Sequence, residues 1–248
     1  MTLPLPPHEL IELLGTGPSS DSRKARSGSG ASTSLRVPGA LSGPLAGASF
    51  IAGVAGAGAL SGSPYPRPGA QPADVRRYFR GSPGAGRVSV VGQLVSAASL
   101  ARFTASVAKL AGRSGRGSRG LRTAAVGGGV LAATSLATSA LCAAALTGSR
   151  GEQDASAALH RLMFAAGGPV HGAGFGVLIG TLGLAGLRTG ELPRPLAIAG
   201  LVSATAGLLS PLYFVTDRAV WFIPGGRFSG LLISGIAGVL LSRRLRTS

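Results

Sequence analysis

Thr123–Gly148 reads TAAVGGGVLAATSLATSALCAAALTG, 26 residues without a charge. At 1.5 Å per residue such a run makes a helix of about 39 Å, more than the roughly 30 Å of bilayer hydrocarbon. It shows no period-2 alternation, and no turn residues recur about every ten positions, which excludes a strand of a membrane barrel. In lipid every backbone N–H and C=O must bond within the segment, so the run is read as a membrane-spanning helix.

Working outward, four more runs have the same character. Val37–Leu60 and Pro195–Thr216 are uncharged, Leu162–Leu187 is apolar apart from His171, and Ala219–Ser242 is apolar apart from Arg227. A sixth segment is shorter in its clean part. Placed at about Gly84–Phe103, it leaves Arg87 and Arg102 near opposite interfaces, where long side chains reach water. The expected fold is an all-α polytopic bundle of six spans, at about 37–60, 84–103, 123–148, 162–187, 195–216 and 219–242. A polar tail over 1–36, disordered over its Ser/Gly/Arg-rich part, precedes the bundle, and a basic tail over 243–248 follows it.

Composition agrees. Only 13% of residues are charged, against about 25% in an average soluble domain. Gly contributes 41 of 248 residues, a poor basis for a water-soluble core. Small residues do suit helices that approach closely in lipid. The net charge of +16 comes from Arg at the ends of apolar runs, not from a basic patch interleaved with aromatics. That pattern points away from nucleic acid and toward topology. With six spans and the N-terminus inside, one side carries 14 basic residues and the other 8. The expected site is therefore the bacterial plasma membrane, with both termini cytoplasmic. All three Tyr and the single Trp221 fall on the opposite, outer side. No cleavable leader is evident, because the Arg23-Lys24-Arg26 cluster follows the short apolar stretch Leu10–Leu14 instead of preceding it.

The longest outer segment, 61–87, opens on Pro64-Tyr65-Pro66-Arg67-Pro68 and continues as Ala73-Asp74-Val75-Arg76-Arg77-Tyr78-Phe79-Arg80. Val75, Tyr78 and Phe79 share one helical face, and the expectation is an amphipathic turn or two on the membrane surface. A first span, this proline-rich loop with its Ala-Asp-Val-x-x-Tyr-Phe stretch, a Gly-led second span and four more together resemble a group of uncharacterised small actinobacterial integral membrane proteins. The resemblance covers about 36–244. It implies the six-span fold and no particular activity.

Signatures of catalysis, nucleotide binding and metal binding are missing from the sequence, and the expectation is a non-enzymatic protein without cofactor or metal. Cys142 is the only cysteine. The packing signals are stronger. Gly168, Gly172, Gly176 and Gly180 recur every four residues in the fourth span, as do Gly226, Gly230, Ser234 and Gly238 in the sixth. Two readings fit these faces: packing inside one bundle, or a seam between two copies. A loop glycine such as Gly190 is expected to tolerate a large side chain better than Gly172 or Gly176.

Three ionisable residues are candidates for an intramembrane function. His171 lies nine residues into the fourth span, after Pro169, which frees the Ala165 carbonyl. It is read either as a neutral imidazole bonded to a freed carbonyl or a neighbouring hydroxyl, or as the centre of a ligand or proton site. Arg102 and Arg227 lie near interfaces, where they are expected to snorkel, with Asp217 a possible partner for Arg227. A freed carbonyl at the second break, Ser210-Pro211, is expected to find a nearby hydroxyl. Function is accordingly read as a bundle that packs with itself or a partner, with the lipid bilayer around it. The alternative is a small-solute carrier or channel with a cavity around His171.

Overall fold

The computed structural model describes residues 39–62, 66, 70–148 and 153–247, all within the compact unit Val37–Ser248. The expected tail over 1–36, and Tyr65, lie outside the described residues. The fold is all-α, with six helices long and apolar enough to cross a membrane. Six such helices give the chain the architecture of a membrane-helix bundle.

In order, the helices are α1 (Ser42–Ser61, entered through a 3-10 turn at Gly39–Leu41), α2 (Pro72–Gly81), α3 (Pro83–Gly112), α4 (Ser118–Gly148), α5 (Gln153–Ala165), α6 (His171–Thr189), α7 (Arg194–Leu209) and α8 (Phe222–Thr247). A π turn at Ala166–Val170 joins α5 to α6 into one span, and two 3-10 turns, Ser210–Phe214 and Asp217–Trp221, join α7 to α8. Proline starts α2 and α3, where a missing N–H costs nothing. Left-handed glycines end α1 and α6, at Gly62 and Gly190. Helix α3 runs on past Arg102 and Lys109 to Gly112, and α8 continues through the basic residues 243–246.

The spans pack in chain order as a ring, α1 on α3, α3 on α4, α4 on α6, α6 on α7, α7 on α8, and α8 back on α1. The α5–α6 span leans into the middle and also touches α3 and α8. Phe103, Leu136, Phe175, Leu178, Ile179 and Leu182 fill that centre. Large apolar side chains such as Ile51, Val91, Val130, Val202 and Leu232 face outward, as a lipid-facing perimeter requires.

The glycine ladders explain how the ring closes. A Cβ on Gly176 would stand 2.9 Å from the Ala204 carbonyl oxygen and the Leu208 nitrogen of α7, both backbone atoms. Gly180 faces Ala204, and Gly172 faces Ser210. In α8, Gly226 lies against Gly207 of α7, Gly230 against Phe175 of α6, and Gly238 against Ala40 and Pro44. Ser234 is buried, its backbone against Gly43 of α1. Gly168 sits apart from the seam, near Phe164 and Ile223. These faces lie inside a single chain. Gly190 has open space around it but a backbone constraint of its own. Its φ of 67° is a conformation that side chains resist, so a substitution there carries backbone strain although it meets no neighbour.

Helix α2 departs from expectation. Its apolar face is not spread on the membrane surface. Val75, Tyr78 and Phe79 are buried against Cys142, Ala143 and Leu146 of α4 and Met163 of α5. The i, i+3, i+4 pattern gives an apolar face but does not say whether lipid or protein covers it. At the opposite end, the half-buried Glu191 reaches both Arg113 (3.6 Å) and Arg244 (3.7 Å), joining two loops and the end of α8.

Candidate functional site

Between the α2 end of the bundle and its middle lies a cavity of about 560 Å³, within the range of about 300–1,000 Å³ usual for small-molecule sites. Its walls come from the middle and second half of α1, the first parts of α3 and α8, the second half of α4, the last turns of α5 and the π turn, with Pro66 and Tyr78 over it. The turn is built by sequence. Pro169 has no N–H to give the Ala165 carbonyl, and the helix absorbs the loss by widening, so that the His171 N–H reaches back five residues to Ala166. The widened turn brings Gly167 and Gly168 to the cavity wall.

Most of the lining is apolar: Phe50, Val54, Met163, Phe164, Ile223 and Phe228. The polar groups are Arg227, His160, Gln93, Ser89, Ser139 and Tyr78. Gln93 donates from Nε2 to Ser89 Oγ at 3.0 Å, and the His160 ring hydrogen-bonds the backbone of Pro66. The described walls contain no Asp or Glu.

Arg227 is the anomalous member. Its guanidinium lies over the Phe50 ring, 5.0 Å from the centroid, while Nε and Nη2 are buried without any hydrogen-bond partner. Asp217 is exposed and, among the described residues, forms no ion pair with it. The expected snorkelling is therefore not what Arg227 does. Its half-buried side chain lies along the cavity because α8 is already helical at Phe222, which sets Arg227 a turn and a half inside the helix. Arginine stays charged in proteins. A ring face returns about 2 kcal/mol when desolvated, only part of the several kcal/mol that a desolvated charge loses.

His171 occupies a different environment. It is 3% exposed, its Nδ1 lies 2.8 Å from the Ala132 carbonyl oxygen of α4, and its ring stacks on Phe175 with centroids 5.6 Å apart. The partner carbonyl belongs to a neighbouring helix rather than to the one freed by Pro169. Since a carbonyl only accepts, Nδ1 carries the proton. The space beside it is about 10 Å³, shared with Arg227 and Phe50, at most one water in size. The larger cavity thus lies around Arg227 and His160 instead of around His171. Arg102 is exposed on α3 and does not line it. At the second proline break, Ser210 donates to the Gly207 carbonyl (2.6 Å), which Pro211 deprives of its helical donor. The same hydroxyl lies 2.9 Å from the Pro169 carbonyl.

Sequence reasoning missed two of the site's residues. Gln93 stands alone as an amide inside an apolar run, a signal available in the sequence because a buried amide needs partners. His160 precedes the apolar run Leu162–Leu187, but the α5–α6 span begins early enough to bury it. Among the described residues no group of three or more His, Cys, Asp and Glu is placed to hold a metal. The chain matches no protein-family model, and no curated protein and no solved structure is significantly similar to it.

Proposed function

We propose that this is a non-enzymatic, multi-pass protein of the bacterial plasma membrane, with both termini cytoplasmic, that binds a small molecule within its bundle as a carrier or receptor. The observation that carries this reading is the cavity of about 560 Å³, apolar over most of its wall with a few convergent polar groups. Of the two functions read from the sequence, this favours the solute-binding one, with Arg227 and His160 in the place given to His171. Association with a second copy has less support, because the glycine faces that suggested it pack within the chain. The non-enzymatic part is carried from the sequence, in which no catalytic signature is recognised.

Single cysteines in a Cys142→Ala background test whether the cavity is accessible. Ser139 lines it, and Ser135, one turn away, does not, though both are buried. A small lipid-permeant thiol reagent is expected to label Ser139→Cys at least about ten-fold faster than Ser135→Cys, the ratio expected for an opening that costs about 1.4 kcal/mol less. Equal slow rates at both positions would mean sealed packing and would end the binding reading.

A further inference from the structure

Resting on that reading, we infer that the occupant is a single-chain anionic amphiphile, a carboxylate or phosphate head on an alkyl tail. It enters from the lipid between α1 and α8 and seats its head against Arg227. Three observations converge on this. The first is charge. Arg227 places a permanent cation at the cavity with buried Nε and Nη2 atoms unpartnered. No carboxylate lines the described walls to neutralise it. An oxyanion seated in the cavity would supply the counter-charge that the described wall lacks, and guanidinium is the cation best suited to hold one.

The second is the polar neighbourhood. Gln93 and His160 border the same space, and both can donate to an oxygen-rich head group. The third is the rest of the wall. A free inorganic anion needs no apolar chamber, whereas Phe50, Met163, Phe164 and Ile223 offer a tail a long apolar surface. The rim tells where such a molecule enters. Val54 on α1 is 48% exposed and Phe228 on α8 is 51% exposed, yet both also line the cavity. The chamber therefore reaches the lipid-facing flank where these two helices meet. A molecule already dissolved in the bilayer can slide in sideways without crossing water, its head entering toward Arg227, the one cation among the described residues of the wall.

The test uses the full chain in nanodiscs of zwitterionic lipid, with tetradecanoate, tetradecyl phosphate, tetradecanol, acetate and inorganic phosphate as probes. The expected result is saturable binding of one tetradecanoate or tetradecyl phosphate per chain, at least about 30-fold tighter than tetradecanol, the span of a charge-assisted hydrogen bond. Acetate and inorganic phosphate should not compete at equal concentration. Arg227→Gln should remove the preference for the acid over the alcohol, and Arg227→Lys should keep most of it. The wild-type comparison stands even where Arg227→Gln fails to fold. Equal binding of tetradecanoate and tetradecanol would overturn the head-group assignment while leaving a binding cavity. Competition by acetate or inorganic phosphate as strong as by the long-chain acids would overturn the tail. Absence of binding by every probe would overturn this inference, and the cavity-labelling experiment would then decide separately whether the binding reading survives.

Discussion

At the residue scale, small side chains decide which contacts this protein can make. Gly176 faces backbone on α7, and backbone cannot turn aside as a side chain can. Gly176→Leu should therefore force the helices apart and lower stability by roughly 3 kcal/mol, the upper part of the usual overpacking range. The proper control is Gly127, which meets nothing within 4 Å and is exposed. Gly127→Leu should be neutral or slightly stabilising, because leucine is the better helix former by up to about 1 kcal/mol. Ser210→Ala probes the same seam without changing its shape, removing the donor to Gly207 and Pro169. Hydroxyl bonds between membrane helices average only about 0.6 kcal/mol, because the separated helices find other partners. Its expected cost is about 1 kcal/mol. Unfolding midpoints in a denaturing detergent series measure all three. A serine variant as damaging as the leucine one would mean that hydrogen bonding, not close packing, holds the seam.

At the element scale, the structure hangs on how a short helix is used. Helix α2 looked in the sequence like a surface-lying amphipathic turn, and its face instead covers Cys142 and Met163 and brings Tyr78 to the cavity. The sequence could not decide this, since lipid and a protein groove ask for the same apolar residues. The long spans were legible because the bilayer imposes a length on them, and Pro169 was legible as a break. That the break would become a π turn lining a cavity was not, because the sequence does not say whether a lost bond is absorbed by bending or by widening. Arg227 was visible as a charge in an apolar run. Its inward direction depends on where α8 starts, and Asp217-Arg218 gave no warning of that. The covering role of α2 has a direct readout in the lone thiol beneath it, which is 7% exposed. Val75→Asp would put a carboxylate into a fully buried apolar contact, at a cost of several kcal/mol unless the helix lifts away. Labelling of Cys142 by a maleimide should then speed up at least about ten-fold over wild type, as local opening becomes easier. An unchanged rate in a folded Val75→Asp protein would show that α2 is not what shields the thiol.

At the scale of the whole molecule, the question is which way the ring faces. The described spans alternate, so the loop at 113–117, the loop at 190–193 and the end of α8 share one end, and α2 lies at the other. The first end carries Arg113, Arg116, Arg119, Arg188, Arg194, Arg243 and Arg244, and Glu191 is its one described carboxylate, held by Arg113 and Arg244. The second end presents Phe214, Val215 and the 79%-exposed Trp221, side chains suited to the interfacial zone. Retention of positive charge on the cytoplasmic side is the ground for the orientation we propose, with the Arg-rich end inside. The cavity, which lies toward the α2 end, would open in the outer leaflet, so the same orientation fixes the leaflet from which an amphiphile is drawn. Reporter fusions after Ser248 and within 70–80 should report a cytoplasmic C-terminus and an external α2 region. An external C-terminus would reverse the proposed orientation and move the cavity mouth to the inner leaflet. The charge argument also predicts how to weaken the topology. Replacing Arg113, Arg116, Arg119 and Arg122 by Gln removes the densest inner cluster, leaves the apolar spans untouched, and should produce a mixed population of orientations. If the four-Gln protein keeps a single orientation, the basic loop between α3 and α4 is not what sets it, and the Arg residues at the end of α8 become the next determinant to remove.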